Sequence, residues 1–155
     1  MRYVKRVLQP GETIVYATRL HWIVYLRAIL LLIICIGLAA AAWYAADNRN
    51  FSLALWIAAT IFALLALSSG FSAFVRRITT ELAVTDRRVI YKTGLIARHT
   101  IEMNRRQVES VDVDQRILGR IIGYGTIIVR GTGGNLEPMQ NIDNPLTFRT
   151  HITAG

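Results

Sequence analysis

Histidines and paired acids are the side chains of this sequence best suited to catalysis or metal binding. The three histidines, His21, His99 and His151, lie far apart, and no two of them have a metal-ligand spacing. Asp112 and Asp114 share one face of a predicted strand, but no His or Lys motif accompanies them. No Gly-x-Ser-x-Gly nucleophile motif occurs. The sequence therefore predicts a protein that is not an enzyme, with no catalytic residues, no metal site and no cofactor.

A glycine-rich segment and a single cysteine are the other features that could take part in binding or catalysis. Residues 131–135, GTGGN, resemble a phosphate cradle in glycine content, but they lack the Lys-Ser or Lys-Thr pair of a P-loop and open no helix. We interpret them as a flexible hairpin. Cys35 stands alone, so the chain forms no internal disulfide and no cysteine-based metal site.

Four arginines are the remaining candidates for binding. Arg19 and Arg27 precede a long apolar block, and Arg76 and Arg77 follow a second one. Anionic headgroups of a cytoplasmic leaflet attract nearby Arg and Lys by about 1 kcal/mol each. These four residues are predicted to contact membrane lipid, although a role in setting topology explains them equally well. The net charge of +8 would also suit a nucleic acid, but membrane tethering accounts for it better, and we expect no nucleic-acid partner.

Two uncharged blocks, residues 28–46 and 51–75, must position these arginines. As helices they would be roughly 28 Å and 37 Å long, enough to cross a hydrocarbon core of about 30 Å. The polar turn DNRN, residues 47–50, separates them. We predict a transmembrane hairpin over residues 22–76, with helices at about 22–46 and 51–75. Buried helices of a soluble core and a cleaved signal peptide fit the pattern less well, since neither block has a polar stripe and some twenty residues precede the first.

Charge predicts the orientation of the hairpin. Basic residues cluster before the first block and directly after the second, whereas the turn carries one Arg and one Asp. Basic residues near membrane ends favour the cytoplasmic side. The prediction is a multi-pass protein of the cytoplasmic membrane with both termini in the cytoplasm, and with residues 1–21 forming an N-terminal cytoplasmic segment.

Residues 77–155 have a sequence pattern typical of a small β-domain. Short runs with period two, bounded by turn residues, predict six or seven antiparallel strands. Residues 115–123 break the alternation and suit a short helical turn ended by Gly123. Asn144-Pro145 begins a short C-terminal helix. The β-like segment ETIVYATRLHW, residues 12–22, is a candidate for one more strand of the same domain.

Three stretches of the chain carry a resemblance to a known family. They are LQPGETIVYATRLHW before the hairpin, the run from LAVTDRRVIYKTG to GYGTIIVRGTGG after it, and NIDNPLTF near the end. With them the chain resembles the bacterial pleckstrin-homology-like (YdbS-like) membrane protein family over nearly its whole length. The resemblance implies a bent, seven-stranded antiparallel barrel with a C-terminal helix, here a short one. It also implies residence in the bacterial inner membrane, oligomer formation and a part in envelope-stress protection.

Three functions stay open from the sequence. The first is a non-enzymatic scaffold or assembly module at the cytoplasmic membrane face, which binds copies of itself or another membrane protein through exposed sheet edges. The second is a sensor of lipid headgroups, favoured if basic residues converge on one mouth of the barrel. The third is an accessory subunit of a transport complex, which two helices with no intramembrane charge line suit least.

Overall fold

The chain folds into two compact units. The computed structural model describes residues 2–95, 99–132, 134–135 and 138–154. One unit, here named the β-domain, comprises residues 1–23 and 76–155, and the other, the helical hairpin, comprises residues 24–75. The chain therefore leaves the β-domain, forms the hairpin and returns to the β-domain.

The hairpin consists of α2 (Leu26–Tyr44) and α3 (Arg49–Thr79), and a short 3-10 turn at Trp22–Tyr25 precedes α2. Both segments, Trp22–Tyr44 with 23 residues and Arg49–Thr79 with 31, are long and apolar enough to cross a membrane. Helix α3 extends beyond the predicted range of about 51–75 at both ends. The helix runs through Arg76 and Arg77 to Thr79, because arginine is a good helix former and cations near the helix C-terminus complement its dipole.

A seam of small side chains joins α2 to α3. The Ser52 hydroxyl donates to the Ala42 carbonyl at 2.9 Å, and the Cys35 thiol lies 3.3 Å from the Ala59 carbonyl oxygen. In both helices, side chains that are buried or half-buried recur every three or four residues, as in a left-handed helix pair. They include Ala28, Leu31, Cys35, Leu38 and Ala42 in α2, and Ser52, Leu55, Ala59, Phe62, Ala66 and Ala73 in α3. The outward faces carry exposed Ile, Leu and Phe, as the surface of a lipid-facing pair would.

The β-domain contains two antiparallel sheets. Sheet A has the order β1 (Ile14–Thr18), β2 (Glu81–Thr85), β3 (Arg88–Thr93) and β4 (His99–Asn104). Sheet B contains β5 (Val108–Asp114), β6 (Tyr124–Gly131), the two-residue β7 (Gly134–Asn135) and β8 (Met139–Asp143), with both β7 and β8 paired to β6. The described part of the domain also contains the helices α1 (Arg2–Val7), α4 (Ile117–Ile122) and α5 (Pro145–Thr153).

The predicted fold class is confirmed, with one difference in the barrel. The two sheets meet at one isolated bridge, Leu20 to Ile142, and no ladder joins β4 to β5 among the described residues. The short turn at Arg105–Gln107 carries the chain from one sheet to the other. The barrel is therefore open along this side. The short helix before Gly123 and the helix that starts at Pro145 are both present, whereas residues 133 and 136–137 around the predicted glycine-rich hairpin lie outside the described part.

Strand β1 comes from the segment that precedes the hairpin in the chain. It pairs with β2, and Thr18 lies opposite Leu82. The chain therefore leaves sheet A just after Thr18 and returns to it just before Glu81, at the same end of the sheet. We call this the exit end of the β-domain, residues 19–23 and 76–81. Residues 1–21 belong to the same compact unit as residues 77–155, and the strand expected within residues 12–22 is present as β1.

Strand β2 is buried on both of its faces. All five of its residues are buried, although side chains of a strand alternate between faces. On one face Ala83 packs with Ile90 and with Val4 of α1. On the other face α5 packs against β1, β2, β5 and β6. Sheet A therefore lies between two helices, which explains why the hydrophobic alternation of ELAVT is weak.

Helix α5 fills the space between the sheets. Phe148 is fully buried, and its ring meets the Tyr16 ring edge-on with 6.2 Å between centroids. The Tyr16 ring also stacks on His151 at 4.6 Å. The Arg105 guanidinium donates to the carbonyls of His151 and Ile152 at 2.9 and 3.1 Å, which places a cation at the C-terminal end of the helix dipole.

We predict that Phe148→Ala lowers the free energy of unfolding of the β-domain by about 3–5 kcal/mol, because it removes a fully buried ring from the space between the sheets. Proteolysis of the detergent-solubilised full chain as a function of urea concentration measures this. The adjacent exposed substitution Thr147→Ala is the control and should change the free energy by less than about 0.5 kcal/mol. Equal effects of the two substitutions would contradict the packing described.

Candidate functional site

A cavity of about 330 Å³ lies at the exit end of the β-domain. Arg19 and Arg77 both line it, and Asp143 supplies its one carboxylate. The other lining residues are Tyr16, Ala17, Thr18, Leu20, His21 and Trp22. Two guanidinium groups against one carboxylate give this cavity an excess of positive charge, so it suits an anion.

The backbone of β8 holds the segment that carries Arg19. The Arg19 carbonyl accepts a hydrogen bond from the Asp143 amide at 3.1 Å, and the Thr18 hydroxyl donates to the Asp143 carbonyl at 2.9 Å. The His21 amide donates to the Asn141 carbonyl at 2.7 Å. Asn141 has a positive φ of 57°, which marks an irregular point in β8 beside the cavity. Pairing between distant parts of the chain thus shapes the wall of the cavity.

Aromatic side chains border the cavity. His21 is buried and stacks on Tyr124 with 5.5 Å between centroids, and Trp22 tilts against His21 at 5.4 Å. The His21 Nδ1 atom accepts a hydrogen bond from the Ile23 amide at 3.2 Å, so the ring caps the turn from which the chain continues toward α2. Trp22 itself is nearly half exposed. An indole in this position is typical of a membrane interface.

The four arginines singled out in the sequence have different positions in the structure. Arg19 and Arg77 come together at the cavity. Arg76 is exposed and does not line the cavity, and its carbonyl accepts hydrogen bonds from the Thr79 hydroxyl and the Thr80 amide. Arg27 is exposed on α2 and belongs to the helical hairpin. The structure therefore brings together two of the four arginines, and lipid contact by any of them stays a prediction.

Sequence reasoning missed Asp143, Thr18 and His21 as parts of this site. His21 alternates with Arg19 along an extended segment, which puts both on one side and is a usable signal. Asp143 has no such signal, because the pairing that brings it to Thr18 spans 125 residues. Among the described residues, no group of three His, Cys, Asp or Glu side chains is placed to hold a metal ion.

A buried ion pair ties the segment before the hairpin to the strands after it. The Glu12 carboxylate accepts two hydrogen bonds from Arg88, from Nε at 2.9 Å and from Nη2 at 2.8 Å. It also accepts from the Thr85 hydroxyl at 2.7 Å and from the Gln9 amide at 2.8 Å. The Glu12 side chain is completely shielded from solvent. Arg88 additionally pairs with Glu102 at 2.6 Å.

The pair changes the protonation chemistry of both partners. Removal from water raises the pKa of Glu12, but the hydrogen bonds from Arg88, the Gln9 amide and Thr85 outweigh it and lower the pKa from 4.5 to about 2. The hydrogen bond to Glu12 raises the pKa of Arg88. The pair is thus fully charged at neutral pH. It anchors the chain a few residues before β1, the strand that leads to Arg19.

Asp86 and Glu81 add further ties between the two parts of the β-domain. The Asp86 carboxylate accepts from the Thr13 amide at 3.0 Å, and the Asp86 amide donates to the Thr13 carbonyl at 3.1 Å. The Glu81 carboxylate accepts from the amides of Tyr3 and Val4 at the start of α1. The turn between β2 and β3, residues 85–88, and the first residue of β2 therefore both fasten the N-terminal segment to sheet A.

One comparison with known proteins identifies the family. The family model described as Bacterial PH domain matches residues 13–154, which include the helical hairpin. The chain belongs to this family of bacterial pleckstrin-homology domains. No curated protein and no solved structure matches it. The predicted family is thereby confirmed, and the two sheets with a C-terminal helix agree with it.

We predict that Glu12→Gln lowers the free energy of unfolding of the β-domain by about 3 kcal/mol, because it leaves the largely buried Arg88 guanidinium without its main partner. Glu102→Gln is the matched control. Its carboxylate is about one-third exposed, so its loss should cost about 1 kcal/mol or less. Urea unfolding of the full chain in detergent measures both, and a larger loss from Glu102→Gln would contradict this assignment.

The same variant gives a defined pH dependence. Because the pKa of Glu12 is lower in the folded chain than its ordinary value of 4.5, its contribution is fully present above that value. The contribution declines as the pH falls below 4.5 and is lost as the pH passes through about 2. The stability difference between wild type and Glu12→Gln should therefore narrow over this range. A difference that stayed constant down to the lowest pH would show that the carboxylate charge carries none of it.

Proposed function

We propose that this protein is a membrane-anchored, non-enzymatic assembly module of the bacterial inner membrane, with its β-domain and both termini on the cytoplasmic side. The length and exposed apolar faces of α2 and α3 support the anchor. The basic residues before α2 and at the end of α3 support the orientation, since the polar stretch 47–50 at the other end of the hairpin carries only one acid, Asp47, and one base, Arg49. A role in envelope-stress protection comes from the family resemblance alone and stays a prediction.

The observation that carries the assembly role is the outer side of β4. No described strand pairs with that side, so the strand from Thr100 to Asn104 offers backbone amides and carbonyls to an added strand. Strand β5 is the other sheet edge beside the opening, but Glu109, Asp112 and Asp114 give it three acids in seven residues. Charges of one sign discourage the pairing of an edge with its own copy. Strand β4 carries one acid, Glu102, which pairs with Arg88 at 2.6 Å.

A second copy of the chain is the partner that this edge fits best. Two β4 strands in antiparallel register form a self-complementary, two-fold contact that closes at a dimer. Tethering in one membrane raises the local concentration of the copies for each other, so a small contact suffices.

Cross-linking in native membranes tests this assembly. Cys35→Ala removes the only cysteine, and Thr100→Cys or Ile101→Cys then places a thiol on one or the other face of β4. A short bismaleimide tolerates a one-residue difference in register and should yield a covalent dimer from at least one of the two. Ser110→Cys, on the acidic edge β5, is the matched control and should remain monomeric. Absence of a dimer from β4, or equal dimer from β5, would exclude assembly through this edge.

Headgroup binding is a second candidate function, favoured by the meeting of Arg19 and Arg77 at one cavity. The excess positive charge of the cavity suits one phosphate of an anionic phospholipid. Trp22, at its border, supplies the aromatic contact usual at the level of the headgroups. The carboxylate of Asp143 limits the total charge, which fits a single phosphate better than a polyphosphate.

We predict that the double substitution Arg19→Gln with Arg77→Gln removes co-purifying anionic phospholipid. Loss of two guanidinium groups near a lipid surface should weaken the attraction by about 2 kcal/mol in total. Native mass spectrometry of the detergent-solubilised full chain measures the bound lipid. Arg149→Gln, an exposed arginine of α5, is the control with unchanged binding. Retention of the lipid by the double variant would exclude the cavity as the site.

A further inference from the structure

Helix α4 exposes large apolar side chains that the β-domain does not use. Ile117 is 79% exposed, Leu118 59% and Ile121 76%. The opposite side of the helix is packed closely, because a Cβ on Gly119 would lie 2.5 Å from the Tyr124 carbonyl oxygen. The Gln115 side chain also donates to that oxygen at 3.1 Å. The helix is therefore held firmly against β6 with its apolar side outward.

Basic residues flank the exposed apolar side chains. Arg116 immediately precedes α4, Arg120 lies within it, and both are exposed. Residues 115–123 contain no acid. Exposed aliphatic side chains bordered by arginines are typical of a segment that lies in the interface of an anionic membrane. The core of a protein–protein contact would more often carry aromatic residues, and residues 115–123 contain none.

Helix α4 also lies at the exit end of the β-domain. Its C-terminal residue is followed by Gly123, whose carbonyl accepts from the Asn144 amide at 2.9 Å, and by Tyr124. The Tyr124 ring stacks on His21, which contacts Trp22. Trp22 is the first residue of the apolar segment that can cross a membrane. The exposed residues of α4 are thus close to the point from which the chain leaves for the bilayer.

Other exposed apolar side chains collect at the same end. Ile78, which follows Arg77, is 55% exposed, and Leu146, which follows the Asn144-Pro145 pair, is 56% exposed. Leu95 lies just beyond Thr93, at the end of β3 that pairs with the start of β2. Val15 is the exception among the large exposed apolar residues of the described β-domain, because it lies near the other end of sheet A.

We propose that α4 is a second membrane contact, which inserts Ile117, Leu118 and Ile121 among lipid chains and places Arg116 and Arg120 at anionic headgroups. The hairpin provides the anchor, and α4 orients the β-domain against the bilayer. The proposal rests on the membrane anchoring described under the proposed function, but it needs neither the dimer through β4 nor lipid in the Arg19 and Arg77 cavity.

Fluorescence from a single label tests the proposal. In the Cys35→Ala background, Leu118→Cys carries an environment-sensitive fluorophore, and the full chain is placed in nanodiscs with one copy per disc. We expect blue-shifted emission and strong quenching by spin-labelled lipid, with little quenching by aqueous iodide. Thr132→Cys is the control, because β6 carries the chain from Tyr124 at the exit end to the far end of the domain. Its label should show the reverse pattern.

The outcomes separate this proposal from its alternatives. If the Leu118 label is as accessible to iodide as the Thr132 label, α4 does not enter the membrane and the proposal is wrong. If the label is shielded only when two copies share a disc, α4 is a contact between copies and the proposal is again wrong. Arg120→Gln should reduce the quenching by spin-labelled lipid in discs with anionic lipid and leave it unchanged in neutral discs. If neither label were quenched by lipid and the protein were released without detergent, the anchoring itself would fail.

Discussion

The β-domain depends on the ion pair between Glu12 and Arg88, because the pair joins two parts of the chain that the helical hairpin separates. A carboxylate shielded from water is unfavourable unless nearly every lone pair accepts a hydrogen bond. Here Arg88 supplies two donors in a fixed fork, and Thr85 and Gln9 supply two more. With this contact in place β1 can align on β2, and the alignment of β1 decides where Arg19 and His21 lie.

The packing of the hairpin lowers the loop-closure entropy that the interruption of the β-domain would otherwise cost. Closing a flexible loop over residues 24–75 would cost several kcal/mol, and the cost grows with the logarithm of loop length. An antiparallel helix pair is not a flexible loop. A Cβ on Gly70 would lie 3.6 Å from that of Ala28, so the two ends of the hairpin are held side by side by its own packing. The chain returns close to where it left, and β1 and β2 pair as though a short connection joined them.

The sequence predicted those features that are encoded locally. The apolar blocks follow from length and absence of charge, and the short helices follow from Gly123, which has a positive φ of 86°, and from Asn144-Pro145. Features created by distant pairings were not predictable in this way. No local pattern pairs Glu12 with Arg88, brings Asp143 to Arg19, or buries both faces of β2. The predicted second helix, at about 51–75, followed the uncharged stretch, whereas α3 continues through Arg76 and Arg77 to Thr79, because arginine ends the apolar stretch without ending the helix.

The two proposed surfaces constrain one another. A two-fold antiparallel pair of β4 strands has its axis perpendicular to the strands. Two copies anchored in one membrane can be related only by an axis along the membrane normal, so the paired strands must lie near the plane of the bilayer.

Contact of α4 with lipid requires the exit end, where β1 ends and β2 begins, to reach the interface. A flat sheet A satisfies the dimer but brings the far end of the domain, with Thr132, close to the interface as well, so the dimer and an iodide-accessible label at Thr132 make opposite demands on the tilt of sheet A. An upright domain could keep the α4 contact but would present two β4 strands in parallel, for which a two-fold axis gives no matching ladder of hydrogen bonds. The depth of α4 in the membrane and the dimer through β4 are therefore linked measurements, because the tilt of sheet A determines both.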